Sequence, residues 1–169
     1  MSGACLRFDG NGDYLSISDN ASLDFDENMS ILFWLRLSTS NDVQIIGKGM
    51  NDQDNFELFV SGGELYFEWA DSPSNYAYTS GMDLTSNAWY QIGVVVDGED
   101  INFYKDAVFV EKHSMGGVPL VPNDYELWIG RQNYGSNDFY LRGYLDEIEI
   151  YDVALSESDV GEYYARTNP

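Results

Sequence analysis

Apolar and polar residues alternate along most of this chain, in short segments. Ile31, Phe33, Leu35 and Leu37 would share one face of a strand, because successive side chains of a strand point to opposite faces. Such segments recur roughly every 8 to 12 residues, with turns rich in Gly, Asn, Asp and Ser between them. This pattern predicts an all-β protein, either a sandwich or a barrel.

Two local signals add detail. Gly62-Gly63 separates the strand-like segments NFELFVS and ELYFEWA, and a Gly-Gly pair in this position is typical of a two-residue β-hairpin. Ser156 precedes ESDVGEYYAR, with Asp159 three residues later, which resembles a capping box with Asp in place of Glu or Gln. This signal predicts a short C-terminal helix that begins near Ser156. No linker or repeat interrupts the chain, so residues 1–169 are predicted to form a single domain.

Composition and charge narrow the range of partners. The chain has 29 acidic and 8 basic residues, a formal net charge of -21. Such a field repels phosphate backbones and anionic membrane surfaces, so we expect no nucleic-acid binding. No apolar run approaches the ~18 residues of a membrane span, so we expect no membrane insertion. The first residues, MSGACLRFDG, lack the charged and apolar regions of a signal peptide. We therefore expect either a module of a larger secreted protein or a chain outside the secretory pathway.

Residues for covalent or metal-assisted catalysis are few. Cys5 is the one cysteine and His113 the one histidine, so an internal disulfide and a Cys/His zinc site are both excluded. No nucleophile-elbow motif accompanies His113. No catalytic residue is therefore predicted from the cysteine or the histidine.

Four phrases carry a resemblance to a known family. They are, in chain order, LRFDGNGDYLSI, AWYQIGVVVDGEDINFYKDAVFV, LWIGR and GYLDEIEIYDVALSESDV. Together they resemble a laminin G-like domain of the concanavalin A-like lectin/glucanase superfamily, over about residues 5 to 165. The resemblance implies a two-sheet antiparallel jelly-roll sandwich that binds a ligand without catalysis. It also implies a calcium ion, which many members carry.

The ends of such a sandwich suggest a calcium site. The first and last strands of the family lie side by side, which would bring DGNGD near YLDEIEIY. Alternation places Asp146 on the face that holds Ile148 and Ile150, where a carboxylate needs a partner. Oxygen ligands on a Gly-rich turn suit calcium, although the turn aspartates could instead cap the turn through hydrogen bonds to its backbone. The predicted ligands of a structural calcium ion are Asp9, Asn11, Asp13 and Asp146.

The same stretch offers a catalytic alternative. Glucanases of the superfamily carry their acids on one strand as E-x-D-x-x-E, whereas this chain has D-E-x-E, with Glu147 and Glu149 on one face. The strand resembles the closing strand of the binding domains and not the catalytic strand. We therefore expect both glutamates to be solvated surface residues.

Aromatic residues are the candidates for ligand contact, because glycan sites place aromatic rings against sugar faces. Trp34 and Trp89 match family positions in the core, whereas Trp128 points outward because Leu127 and Ile129 face inward. The segments EWADSPSNYAY and RQNYGSNDFY combine Tyr with Asn and Ser, as recognition loops do, although such tyrosines also cover outer sheet faces. The predicted ligand-binding residues are Trp69, Tyr76, Tyr78, Trp128, Arg131, Tyr134 and Tyr140.

Three functional hypotheses follow. The first is a glycan-binding or adhesion module that recognises a glycan or cell-surface polysaccharide, extracellular or at the cell surface as part of a larger secreted protein. The second is a structural or decoration protein on the surface of a phage virion, in contact with other virion proteins. The start at Met1, the missing signal and the end just after the helix favour the second hypothesis. The third, a glucanase-like glycoside hydrolase, lacks the acid motif.

Overall fold

The predicted sandwich is confirmed. The structure is a computed structural model that describes residues 4–39, 41–50, 53–71, 74–134 and 137–168, with side chains described except at 70, 71, 74–76, 133, 134, 137 and 138. In these ranges the chain forms two six-stranded antiparallel sheets, a two-stranded hairpin, a short 3₁₀ helix and one α-helix.

Sheet 1 contains the first and last strands of the sandwich, which pair with each other as the family resemblance implies. Its strands lie in the order β1-β14-β3-β8-β9-β10. They are β1 (Leu6–Asp9), β3 (Asn28–Leu37), β8 (Tyr90–Asp97), β9 (Asp100–Lys105), β10 (Val108–Ser114) and β14 (Arg142–Tyr151).

Sheet 2 packs against sheet 1, with strand order β2-β11-β4-β5-β6-β7. Its strands are β2 (Leu15–Ile17), β4 (Val43–Lys48), β5 (Phe56–Ser61), β6 (Glu64–Asp71), β7 (Ser74–Asp83) and β11 (Leu127–Ile129). The separate hairpin consists of β12 (Arg131–Tyr134) and β13 (Asn137–Tyr140). The 3₁₀ helix is Ala21–Leu23 and the α-helix, α1, is Glu157–Thr167.

The main core lies between the two sheets. Ile31, Phe33 and Leu35 of β3 are buried there, as the alternation predicts. The outward residues of the same strand, Leu32 and Trp34, are also buried, in a second cluster on the other side of sheet 1. The near-continuous apolar run of β3 therefore reflects a strand that is covered on both faces.

The Gly-Gly hairpin is confirmed and fixes the register of β5 and β6. Gly62 and Gly63 have φ of 62° and 89°, as a type I′ turn requires at both central positions. Ser61 pairs with Glu64, so the residues of the two strands oppose one another in regular order.

Helix α1 covers the outer face of sheet 1, and its capping box is confirmed. The Asp159 N–H donates to Ser156 Oγ at 3.3 Å, and the Ser156 N–H donates to Asp159 Oδ2 at 2.8 Å. Trp34 stacks on Tyr164 with ring centroids 5.6 Å apart, and its Nε1 donates to Thr167 Oγ1 at 2.9 Å. No helix in the described ranges is long and apolar enough to cross a membrane.

A β-bulge in β14 overturns the predicted alternation around Asp146. The register shifts between Asp146 and Glu149, and Glu147 has φ of 50°. Asp146 pairs with the outward residue Trp34, whereas Ile148 packs into the main core. The prediction that Asp146 shares a face with the core isoleucines is therefore wrong, because the bulge inserts one extra residue between them.

Candidate ligand-binding face

The outer side of sheet 2 differs from that of sheet 1, because α1 lies over sheet 1 alone. We call this side of sheet 2 the open face. A side chain points towards the open face when the residues before and after it in the strand point into the core. Phe59 is an example, because its neighbours Leu58 and Val60 are buried in the core. Its members on β4, β5, β6 and β11 are Gln44, Glu57, Phe59, Tyr66, Glu68 and Trp128.

The β12–β13 hairpin lies next to β4 and presents two different faces. Cross-strand partners share a face, so Arg131 and Tyr140 point to one side, and Gln132 and Phe139 point to the other. Gly130, at φ of 85°, turns the chain out of β11 into this hairpin, and a Cβ there would lie 2.5 Å from the Phe8 ring. The hairpin therefore divides the open face into two candidate contact regions.

The first region is a pocket beside Phe139. It has a volume of about 140 Å³ and lies where the hairpin meets the paired ends of β4 and β5. Phe139 itself is 40% exposed. The Phe59 ring stacks on the Tyr66 ring, with centroids 5.2 Å apart and an interplanar angle of 5°. We call it the Phe139 pocket. Its lining residues are Asp42, Val43, Gln44, Phe59, Val60, Ser61 and Phe139.

The second region surrounds Arg131, and we call it the Arg131 cluster. The guanidinium carbon lies 4.8 Å from the centroid of the Tyr14 ring, 4.9 Å from that of Trp128 and 5.8 Å from that of Tyr140. A guanidinium over aromatic faces is held by cation–π attraction, which orders all four side chains. The structure thus brings together three of the predicted ligand-binding residues, although their contact with a ligand stays a prediction.

Tyr14 belongs to this cluster but was not among the predicted residues. It comes close to Trp128 because β2 pairs with β11, with Ser16 opposite Trp128. Tyr14 is 43% exposed and meets Trp128 edge to face at 6.5 Å. Only the pairing of two short strands far apart in the chain reveals this contact.

Two predicted ligand-binding residues lie elsewhere. Trp69 is fully buried between the sheets, and its Nε1 donates to the Val118 carbonyl at 3.2 Å. Tyr78 packs against the same core and stacks on His113 at 4.8 Å. The interpretation of this segment as a surface loop is wrong, because it is a strand pair whose alternation sends Trp69 inward. The Tyr76 and Tyr134 side chains lie outside the described residues.

Asp146 lies apart from the turn that carries the other predicted calcium ligands. Asp9 pairs with Arg142, which is four residues before Asp146 in β14, so about 13 Å of strand separates the two aspartates. Asp9 Oδ1 accepts from the Asn11 N–H at 2.7 Å, and Asp13 Oδ2 accepts from the Asp9 N–H at 3.0 Å. The turn aspartates thus cap the turn, the alternative that the sequence left open. A shared site with Asp146 is excluded by the register, whereas calcium binding as such stays a prediction.

Glu147 and Glu149 occupy different environments. The Glu147 side chain is exposed, and its carbonyl accepts from Tyr163 Oη at 2.6 Å. Glu149 accepts two hydrogen bonds from Arg166 of α1, both at 2.9 Å. These hydrogen bonds lower the pKa of Glu149, although partial burial opposes the shift. Glu149 therefore fastens the helix to β14.

A group of carboxylates on the open face was missed by the sequence analysis. Glu57 of β5 lies directly opposite Glu68 of β6, and the Asp54 carboxylate joins them. One oxygen from each of the three residues lies within 4.8 Å of the others. The register of the Gly62-Gly63 hairpin was the available signal, because a two-residue loop sets Glu57 opposite Glu68.

Comparison with known proteins identifies the family to which the chain belongs. A laminin G family model, described as the Concanavalin A-like lectin/glucanases superfamily, matches residues 9–161. The chain therefore belongs to this family, as the four sequence phrases indicated. No curated protein sequence matches the chain.

Solved structures show the same fold at low identity. The binding domain of Paraclostridial Mosquitocidal Protein 1 is 17% identical, with a TM-score of 0.77 over 96% of this chain and 43% of that chain. The botulinum neurotoxin serotype D binding domain is 15% identical, with a TM-score of 0.73 over 94% of this chain and 41% of that chain. A heptameric SAP-like pentraxin from Limulus polyphemus is 16% identical, with a TM-score of 0.62 over 87% and 79%. The chain thus spans less than half of each toxin binding domain.

Proposed function

We propose that this chain is a non-catalytic carbohydrate-binding module that takes its ligand on the open face. The observation that carries the proposal is the Phe139 pocket, which combines aromatic rings with the polar groups of Asp42, Gln44 and Ser61. Sugar sites use this combination, because rings pack on the C–H face of a sugar and polar groups bind its hydroxyls. The Arg131 cluster supplies a second contact surface on the other side of the hairpin.

The structural neighbours support a binding role. Two of them are named as binding domains, one of Paraclostridial Mosquitocidal Protein 1 and one of botulinum neurotoxin serotype D, and a related structure is named as the receptor binding domain of botulinum neurotoxin D. A module of this kind would act outside the cell or at a cell surface. The ligand of this chain is inferred from the residues of the open face.

The charge of the chain restricts the ligand further. A formal net charge of -21 makes the surrounding field negative, so a sulfated or sialylated glycan would be repelled during approach. An uncharged glycan carries no such penalty. We therefore propose that the ligand is a neutral glycan.

A glycan array with matched variants tests this proposal. Phe139→Ala removes a ring that is 40% exposed at the pocket, and Phe109→Ala removes one that is 45% exposed on β10 of sheet 1. We expect the wild type and Phe109→Ala to bind the same neutral glycans, and Phe139→Ala to lose about two- to tenfold in affinity, the equivalent of one aromatic contact of about 0.5–1.5 kcal/mol. Equal binding by all three proteins would contradict the placement of the site.

The absence of catalysis needs its own measurement. Each glycan bound on the array should be recovered intact after prolonged incubation with the wild type. Release of reducing ends, lost in Glu57→Gln or Glu68→Gln, would show instead that the open face is a hydrolase site.

A further inference from the structure

The carboxylates of Asp54, Glu57 and Glu68 form an unusual group for a protein surface or core. Asp54 and Glu57 are 1% and 0% exposed, and Glu68 is half-buried. Carboxylates placed directly opposite one another on two strands are a costly arrangement in a sheet. A cation bound between them would favour it.

The spacing of the group fits a single ion. Calcium binds oxygen ligands at about 2.3–2.6 Å, so two ligands of one ion lie at most about 5.2 Å apart. One oxygen from each of the three carboxylates lies within 4.8 Å of the others. At this separation a small rotation of the side chains is enough to bring all three carboxylates onto the same ion.

The neighbouring strand leaves room for these side chains. A Cβ at Gly47 would lie 3.1 Å from Glu57 Cγ, and a Cβ at Gly49 would overlap Asp54 Oδ1. Two glycines of the segment G-K-G thus stand where any other residue would displace a carboxylate. The carboxylates occupy a recess in the backbone of β4 and the residues that follow it.

Gln44 gives an independent indication of a ligand. Its side chain is 3% exposed, and its Nε2 has no hydrogen-bond partner among the residues that the structure describes. The same Nε2 would lie 3.3 Å from a Cβ at Gly47, so it converges with Glu57 on that glycine. Buried amide groups are nearly always paired. Rotation of the amide by about 180° places its oxygen there, and an amide oxygen is a calcium ligand.

We infer that Asp54, Glu57 and Glu68 bind one divalent cation of the calcium type, with the Gln44 amide oxygen as a fourth protein ligand. Carboxylates and an amide oxygen are hard ligands, which suit calcium better than zinc or copper. This site is distinct from the DGNGD turn and does not depend on the proposed glycan function. Because Gln44 also lines the Phe139 pocket, the ion would stiffen one wall of that pocket.

Isothermal titration of the chelator-treated chain with calcium chloride tests this inference. The titration is done in about 0.15 M sodium chloride, which screens diffuse attraction to the acidic surface. We expect one calcium ion per chain. Glu68→Gln keeps the shape of a half-buried side chain and should weaken binding at least tenfold, because affinity depends on the number of charged ligands. Asp13→Asn removes the same charge from the exposed turn and should leave the affinity unchanged.

Two further variants guard against a folding defect. Gln44→Leu should weaken calcium binding without any change in charge, and Gly47→Ala should do so by moving Glu57. Each variant is checked by circular dichroism and by its melting temperature in chelator. Wild-type protein that binds no calcium would overturn the inference. So would a calcium affinity that falls in Asp13→Asn but not in Glu68→Gln, since the ion would then belong to the turn.

Discussion

The two outer faces of the sandwich are built in opposite ways. On sheet 1, Trp34 and Leu32 are covered by Val160 and Tyr163 of α1, and the layer is closed by packing and by the Glu149–Arg166 pair. On sheet 2, the corresponding positions carry carboxylates, amides and partly exposed rings, with only a hairpin beside them. Polar groups also lie on the outer face of sheet 1, since Gln91 and Asp146 both pair with Trp34. The feature that favours the proposed recognition role is therefore the set of partly exposed rings on sheet 2, the sheet that α1 leaves uncovered.

The largest expected effect tests the covered face. Trp34→Ala removes a ring that stacks on Tyr164 and donates to Thr167, and such a loss costs about 3–5 kcal/mol of unfolding free energy. Phe139→Ala on the open face should cost less than about 1 kcal/mol, as for other exposed positions. Urea denaturation measures both. Equal losses of unfolding free energy in the two variants would contradict the conclusion that the two faces are built differently.

Several of the features that distinguish the two outer faces could be predicted from the sequence. The alternation of β3 predicted its buried residues, and the capping box predicted where α1 begins. The Gly62-Gly63 turn implied that Glu57 faces Glu68. The bulge at Glu147 was not predictable, because its one extra residue leaves the run of apolar and charged residues unchanged. The place of the β12–β13 hairpin and the approach of Tyr14 to Trp128 depend on contacts between distant segments, which local patterns do not encode.

The second prediction concerns the hydrogen bond between helix and bulge. Tyr163→Phe removes the donor to the Glu147 carbonyl, which leaves that acceptor without its partner at 2.6 Å and should cost about 1–2 kcal/mol. Tyr164→Phe keeps the ring that stacks on Trp34 and serves as the control, with an expected change within about 0.5 kcal/mol. A stable Tyr163→Phe protein would show that the bulge, and not the helix contact, holds Glu147 in its positive-φ conformation.

The third prediction is a pH dependence confined to the covered face. Arg166 lowers the pKa of Glu149, so the folded state holds this proton less tightly than the unfolded state does. The stabilisation is therefore present above the unfolded pKa of about 4.3 and disappears as the pH falls through the lower folded value. Because the Arg166 side chain is largely exposed, solvent screens the pair and the stabilisation is small.

Urea denaturation between about pH 6 and pH 2 checks this. Glu149→Gln should lose stability at neutral pH and should depend less on pH than the wild type. Glu147→Gln, which removes an exposed carboxylate two residues earlier in the bulge, should follow the wild-type profile. Matching profiles for Glu149→Gln and the wild type would remove the helix–strand pair from the description of the covered face.

The smallest effect is expected at the DGNGD turn. Asp13→Asn weakens one backbone hydrogen bond on an exposed turn, the acceptor for the Asp9 N–H at 3.0 Å. The expected loss is about 0.5 kcal/mol, with or without calcium. A larger loss of unfolding free energy that appears only when calcium is present would show that the ion binds at this turn.

The tryptophan side chains offer the most direct test of the central claim, that ligand binds the open face. Trp34 reports on the covered face, Trp69 on the core and Trp128 on the open face. In ¹H–¹⁵N spectra, addition of the strongest neutral glycan from the array should shift the indole N–H signal of Trp128 and leave those of Trp34 and Trp69 in place. A shift of the Trp34 signal with Trp128 unchanged would place the ligand on the helix side and contradict the account.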